Sequence, residues 1–185
     1  MKFTIITPTL QRESLIRTCQ SVDAQTFQDW EHIIMVDCPT MNDELLNPLI
    51  HLNRTFIHCK EPHKNFGNTC RYNAWDYANG EYILYLDDDN FLMDDKILED
   101  IAPLLKGSWT LFPILRYGAH FYNDPPRLCQ TDSANFIVKK EFGRWMNIPD
   151  YEADGLLVEA LKQYPYQAFP NFRPIVNMQE SRRGR

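Results

Sequence analysis

Glycine is scarce in this chain of 185 residues: there are seven, and none falls in the turn after the first apolar run, Thr7-Pro8-Thr9-Leu10-Gln11-Arg12. That leaves no glycine-rich loop there to cradle a phosphate with backbone N–H groups. No apolar stretch approaches the ~18 residues of a membrane span. No apolar leader precedes the strand-like run Phe3-Thr4-Ile5-Ile6, so no secretory signal is expected. Positive charge is also short. Nineteen Lys and Arg stand against 25 Asp and Glu, a formal net charge of -6, which argues against the basic face of a general nucleic-acid binder. The five cysteines, Cys19, Cys38, Cys59, Cys70 and Cys129, include no CxxC pair and follow no regular spacing. The pattern therefore suggests neither a zinc site nor a disulfide framework, and a reducing, cytoplasmic setting is the simplest expectation. No internal repeat or linker-like segment is present.

Hydrophobic residues make up 44% of the chain and charged residues 24%, enough for one folded domain with a full core. The first half, about 1–105, alternates strand and helix. Strands are predicted over 3–7, 31–37, 55–58 and 82–86, and helices over 13–23, 42–53, 68–78 and 94–105. A fifth strand is expected over 109–115. The second half, about 106–180, is less regular, with a loop or hairpin over 118–127, a strand over 134–138 and a helix over 151–164. A basic tail, 181–185, carries Arg182, Arg183 and Arg185. Its simplest reading is a solvated end; contact with a membrane surface or an anionic acceptor is the alternative. Strand–helix alternation implies an α/β fold with a mostly parallel central sheet and helices on both faces.

Open sheets of this kind bind ligands beyond the carboxyl ends of their strands. Thr7-Pro8-Thr9 follows the first strand, Asp37 the second and Asp87-Asp88-Asp89 the fourth. Three adjacent carboxylates repel one another, and a hard divalent cation would relieve that repulsion. Asp87 and Asp89 point the same way in an extended chain, with Asp88 facing elsewhere. The competing reading is a solvated acidic loop that caps the next helix.

The stretch Gly80-Glu81-Tyr82-Ile83-Leu84-Tyr85-Leu86-Asp87-Asp88-Asp89-Asn90 resembles the Gly-Glu-Tyr…Asp-x-Asp-Asp signature of the inverting family 2 glycosyltransferases, which have the GT-A fold. Other segments resemble that family in the same order: Thr4-Ile5-Ile6-Thr7-Pro8-Thr9, Ser21-Val22-Asp23-Ala24-Gln25-Thr26, Trp30 to Asp37, and Asn65 to Ala74 with Arg71-Tyr72-Asn73. The resemblance covers about residues 3–105 well and continues weakly through Asn135-Phe136-Ile137-Val138 and Glu152-Ala153-Asp154. It implies a single Rossmann-like GT-A domain with a donor-binding half and an acceptor half. Thr7, Pro8, Thr9 and Asp37 would hold the nucleotide base, Arg71 would lie against the base or phosphates, and Asp87 and Asp88 would belong to the donor site. Asp89 would hold Mn²⁺ or Mg²⁺ at the diphosphate of a nucleotide-diphosphate sugar, of UDP type. The acceptor would be a glycan or another hydroxyl, and a homodimer is compatible with the family. Where the family often has Asp-Asp-Gly-Ser after the second strand, this chain has Asp37-Cys38-Pro39-Thr40.

An inverting transfer needs a base for the acceptor hydroxyl. The family places an Asp at the start of a late helix, which here is Asp154, with Glu152 as the substitute. The alternative is that Asp150, Glu152 and Asp154 merely favour a helix's first turn. His58, His63 and His120 show no metal-ligand spacing and read as structural or solvated, with His120 the best placed for a site role. Trp109 reads as core, Trp145 and Tyr122 as candidates for acceptor contact, and Asp132 and Asn135 lie in the same half without an assigned role. Two other readings stay open at this point: a nucleotidyltransferase, disfavoured by the missing glycine loop, and a non-catalytic nucleotide-sugar-binding module.

Overall fold

The fold grows from the first apolar run. In the computed structural model, which describes residues 1–116, 119–128, 130–172 and 175–177, β1 (Phe3–Thr9) is buried along its whole length. The chain then forms α1 (Ser14–Asp23), β2 (Trp30–Val36), α2 (Asp43–Leu46), β3 (Arg54–His58), α3 (Asn68–Ala74), β4 (Tyr82–Tyr85), β5 (Asn90–Leu92) and α4 (Ile97–Ile101). The remaining elements are β6 (Trp109–Leu111), β7 (Ile114–Arg116), β8 (Ala119–Phe121), β9 (Phe136–Lys139), α5 (Ala153–Leu161), β10 (Tyr166–Ala168) and β11 (Ile175–Asn177). The basic tail and Cys129 lie outside the described residues.

Seven strands form one sheet in the order β10-β6-β9-β4-β1-β2-β3. It is mostly parallel, as expected: β1 pairs in parallel with β2 and β4, β2 with β3, and β6 with β10. The exception is β9, which runs antiparallel to both β4 and β6. A second, smaller sheet has the order β5-β11-β7-β8.

Alternation along each strand divides the core. Phe3, Ile5, Tyr82, Leu84 and Leu86 pack on one face with Val22 and the α4 residues Ile97, Leu98 and Ile101. Ile6, Ile33, Met35, Ile83 and Tyr85 pack on the other with Cys70 and Ala74 of α3 and Leu157, Val158 and Leu161 of α5. Burial on both faces is why β1, β2 and β4 read as nearly continuous apolar runs. Leu15 and Cys19 of α1 cover Ile34 and Val36 at the β2 side.

Several expected elements are shorter or displaced, each for a visible reason. The helix expected over 42–53 is one turn, capped by the Asn42 side chain on the Leu45 N–H at 3.3 Å. It tightens into a 3₁₀ turn over Asn47–Leu49 at Pro48, which lacks an N–H to continue the ladder. Pro103 shortens the 94–105 helix to α4 and a following 3₁₀ turn in the same way. The strand expected over 109–115 breaks at Phe112-Pro113: β6 stays in the main sheet and β7 enters the second. The strand expected from Ala134 begins at Phe136. Asp132 and Asn135 fold the preceding residues into a 3₁₀ turn through a reciprocal cap, Asp132 accepting from the Ala134 N–H and Asn135 from the Asp132 N–H. α3 ends at Ala74 and α5 covers only Ala153–Leu161 of their longer expected spans.

Candidate active site

The carboxyl ends of β1, β2 and β4 lie side by side. The Asp37 N–H donates to the Thr9 carbonyl at 2.9 Å and the Leu86 N–H to the Ile6 carbonyl at 3.0 Å, so the segments after these strands emerge at one edge. They border a cleft of about 460 Å³. Of the residues expected there, Pro8, Thr9, Asp37, Arg71, Asp87 and Asp88 line it. Thr7 and Asp89 do not. The Thr7 hydroxyl is buried against the His32 ring nitrogen Nε2 at 2.9 Å. Asp89 is buried beside Arg12, whose guanidinium lies 3.6 Å from Oδ2.

The expected alternation of the three acids is not found: the chain turns at Asp88-Asp89, with the Asn90 N–H on the Asp87 carbonyl at 2.9 Å, so Asp88 and Asp89 share Arg12 while Asp87 faces Arg71. Asp87 forms an ion pair with Arg71. Asp88 accepts from the Thr9 hydroxyl at 2.8 Å and from Arg12 at 3.2 Å. Burial raises the Asp88 pKa, and Arg12 and Thr9 oppose that rise. Two guanidiniums therefore sit among three carboxylates. Their hard oxygen donors suit Mg²⁺ or Mn²⁺ in chemistry.

Arg71 links this cleft to a smaller recess of about 50 Å³, lined by Arg71, Asp87, Asp132, Trp145 and Asp154 among others. The guanidinium lies 4.7 Å over the Trp145 ring and donates to the Phe66 carbonyl at 2.9 Å. Trp145 is itself buried, with its indole N–H on Asn68 Oδ1 at 3.0 Å. It therefore acts as a support for Arg71 more than as an open stacking surface. Asp154 projects from the first turn of α5 and accepts from the Gly155 N–H at 2.7 Å. Burial, reinforced by the nearby Asp132, pushes its pKa up to about 7. Asp132 is raised as well, by burial and then by Asp87. Glu152 lines neither space. His120 is exposed on β8, where a loop position was expected, and together with Tyr122 lies outside both. Trp109 is core, as expected, with its indole N–H on the Leu161 carbonyl at 3.0 Å.

The sequence reading missed four lining residues or their roles. Arg12 follows Gln11, whose φ of 59° bends the chain back to the acids. Phe66 and Tyr151 form an exposed edge-to-face aromatic pair, centroids 5.3 Å apart, at the rim shared by cleft and recess. Asp132 carries no local signal beyond its capping pattern. The rim loop is strained: Lys64 and Phe66 hold φ of 52° and 60°, and Gly67 holds 78°. Such backbone clusters at functional sites. Gly67 is required for a second reason, since a Cβ there would stand 2.9 Å from Pro8 Cβ and 3.1 Å from the Arg71 guanidinium.

A further assembly was invisible in sequence. His63 binds Asp37 Oδ1 through Nδ1 at 2.8 Å and through its N–H at 3.0 Å, and Cys59 Sγ lies 3.7 Å from Cys70 Sγ. The expectation that no cysteine or histidine forms a metal-type cluster is corrected here: one atom from each of Asp37, Cys59, His63 and Cys70 lies within 4.8 Å of the others. Residues 11 and 26 positions apart meet only through the sheet. The hydrogen bond from Cys70 pulls the Cys59 pKa below the ordinary thiol range.

Among the described residues no helix is long and apolar enough to cross a membrane. Residues 4–167 match the family described as Glycosyl transferase family 2. The fold resembles that of TarS from S. aureus, with TM-score 0.75 and 15% identity over 96% of this chain and 36% of TarS. It also resembles TarS 1-349 in complex with UDP, with TM-score 0.76 and 16% identity over 95% of this chain and 60% of that one. A third likeness is to the mannosyltransferase PcManGT from Pyrobaculum calidifontis in complex with GDP-Man and Mn²⁺, with TM-score 0.72 and 16% identity over 98% and 58%. This chain thus spans between about a third and three fifths of the length of those proteins. The sheet order, the acids beyond β4 and a family match running from β1 to β10 agree, and the chain belongs to glycosyl transferase family 2.

Proposed function

We propose that this chain transfers a sugar from a nucleoside-diphosphate sugar to an acceptor hydroxyl, with inversion at the anomeric carbon. The observation that carries the reading is the joining of two spaces at Arg71 and Asp87: a cleft large enough for a nucleotide and a recess holding a carboxylate tuned to about 7. The similar TarS and PcManGT structures hold UDP and GDP-Man, which supports a nucleotide-sugar donor; a UDP-type donor is the one we propose here.

In this reading the nucleotide lies against Pro8, Thr9 and Asp37. Asp87 and Arg71 face the ribose, sugar or phosphates, and the Phe66–Tyr151 pair offers an apolar wall at the rim. Asp87 and Asp88 at the cleft, with Asp89 behind them, would hold a divalent ion of the Mn²⁺ or Mg²⁺ class once Arg12 moves off Asp88 and Asp89. When bound, such an ion offsets charge on the departing diphosphate. Arg71 and Arg12 supply further positive charge on the same side of the bond that breaks. Asp154 removes the acceptor hydroxyl proton as that oxygen attacks. A base with a pKa near neutrality is ionised at working pH yet still accepts a proton readily, and burial beside Asp132 provides that tuning.

A panel of UDP- and GDP-sugars with Mn²⁺ and simple glycoside acceptors tests the reading through release of nucleoside diphosphate. Turnover with one donor, lost in Asp154→Asn and Asp89→Ala, and a product of inverted anomeric configuration by NMR are expected. Donor binding without turnover under any acceptor would leave a binding module in its place. Release of pyrophosphate from a nucleoside triphosphate and a sugar phosphate would make it a nucleotidyltransferase.

A further inference from the structure

We propose that Asp37, Cys59, His63 and Cys70 form a binding site for a thiophilic divalent cation of the zinc class, separate from the acidic triplet. The four donors come from fixed places. Asp37 follows β2, Cys59 follows β3 and continues its ladder through an N–H on the Val36 carbonyl at 2.9 Å, and Cys70 sits in α3. His63 lies in the loop between Cys59 and Cys70 and is the exposed member of the set.

Two edges of the set approach those of a tetrahedral ion, and all four donors lie within 4.8 Å of one another, so an ion would draw them together. Zinc–sulfur bonds of ~2.3 Å set a sulfur–sulfur edge of about 3.8 Å, and the Cys59 and Cys70 sulfurs are 3.7 Å apart. A disulfide would need ~2.05 Å. With bonds of ~2.0–2.1 Å to nitrogen and oxygen the corresponding edge is about 3.3 Å, against 2.8 Å between His63 Nδ1 and Asp37 Oδ1. Seating the ion requires the His63 ring to turn away from Asp37, and its exposure permits that. Two thiols and an imidazole select soft or borderline ions, whereas the all-carboxylate triplet selects hard ones. A surface cleft of about 410 Å³, lined by Cys59, His63, Lys60, Glu61 and Asp76 among others, gives an ion access from solvent.

The site also has a mechanical meaning. Cys59 and Cys70 bracket the strained loop that carries Lys64, Phe66 and Gly67 to the rim of the main cleft. An ion held by both ends and by His63 would fix that loop to β2 through Asp37, as a short cross-link does. The proposal does not depend on sugar transfer.

Titration of the reduced full chain with Co²⁺, a spectroscopic stand-in for zinc, tests it. One equivalent should produce a thiolate-to-cobalt charge-transfer band and the strong visible bands of tetrahedral cobalt, both abolished by one equivalent of Zn²⁺. Cys59→Ser should remove the charge-transfer intensity contributed by that sulfur, and His63→Ala, an exposed change that leaves the core intact, should weaken binding by about tenfold or more. Asp89→Ala should leave the bands untouched. Absence of the charge-transfer band in the wild-type chain overturns the site, as does a band whose intensity is unchanged in Cys59→Ser and whose affinity is unchanged in His63→Ala.

Discussion

Replacing Asp154 with Asn should stop catalysis and stabilise the protein at once. Asp154 is largely buried and its carboxyl titrates at about 7, far above the ordinary value of 3.8, chiefly because burial penalises its charge. The native state therefore holds a proton there that the unfolded chain has already released. By linkage, stability is highest below about pH 4, falls as pH rises through the interval to about 7, and is flat above it. Each pKa unit corresponds to ~1.4 kcal/mol. The ionised Asp154 then costs about 4 kcal/mol at pH 8 as an order of magnitude. Asn has the same shape and no charge to bury. Even half of that figure would raise the melting temperature by roughly 4–8 °C in a domain of this size. Donor turnover should fall by ~10²–10⁴, the usual contribution of a positioned base. In the wild type, the rate at fixed donor should climb with pH up to about 7 and then level off, since only the ionised form accepts the proton. Differential scanning calorimetry from pH 5 to 8 beside a nucleotide-release assay measures both effects. A variant that melts lower at pH 8, or turns over normally, would refute the assignment of strain and base to one carboxyl.

Three other outcomes follow from the geometry. Gly67→Ala should lower stability by about 1–2 kcal/mol from the left-handed backbone alone, and should weaken donor binding because the new methyl meets Pro8 and Arg71 within about 3 Å; urea denaturation and nucleotide titration check the two parts. Arg54→Met should cost about 3 kcal/mol in urea denaturation, since the buried guanidinium serves Asp23, the Cys19 and Leu49 carbonyls and His32 Nδ1, and all of them lose that donor beneath α1. His32 should remain neutral in the folded protein at pH 5.5, because burial and then Arg54 hold its pKa well below 6.5; an NMR titration of its imidazole with a midpoint near 6.5 would contradict this. The unfolded chain binds a proton at that position below about 6.5, so His32 makes stability fall as pH drops through and below that value.

What the sequence discloses here follows burial. β1, β2 and β4 are covered on both faces, so their apolar runs stand out, and the acids that follow β4 could be placed at the sheet edge before any coordinates. The three-residue strands β5, β8, β10 and β11 are too short to show a period of two, and three of them owe their pairing to chain segments far away. Pro48, Pro103 and Pro113 mark breaks that apolar periodicity alone ran through. In the site, Asp87, Asp88 and Asp154 were legible because strand ends and helix starts constrain where they go. Arg12 was not, because its position depends on the left-handed Gln11, nor was the pairing of Asp37 with His63, because it depends on how β2 and the loop after β3 lie together.

The most direct test of the account is a calorimetric titration of the wild-type chain with UDP and with GDP, each with and without Mn²⁺. The account predicts saturable, one-to-one binding of one of these nucleotides, strengthened by the metal and weakened at least about tenfold in Asp89→Ala. No binding of either nucleotide, with or without metal, would contradict it and reduce the acids beyond β4 to a neutralised turn.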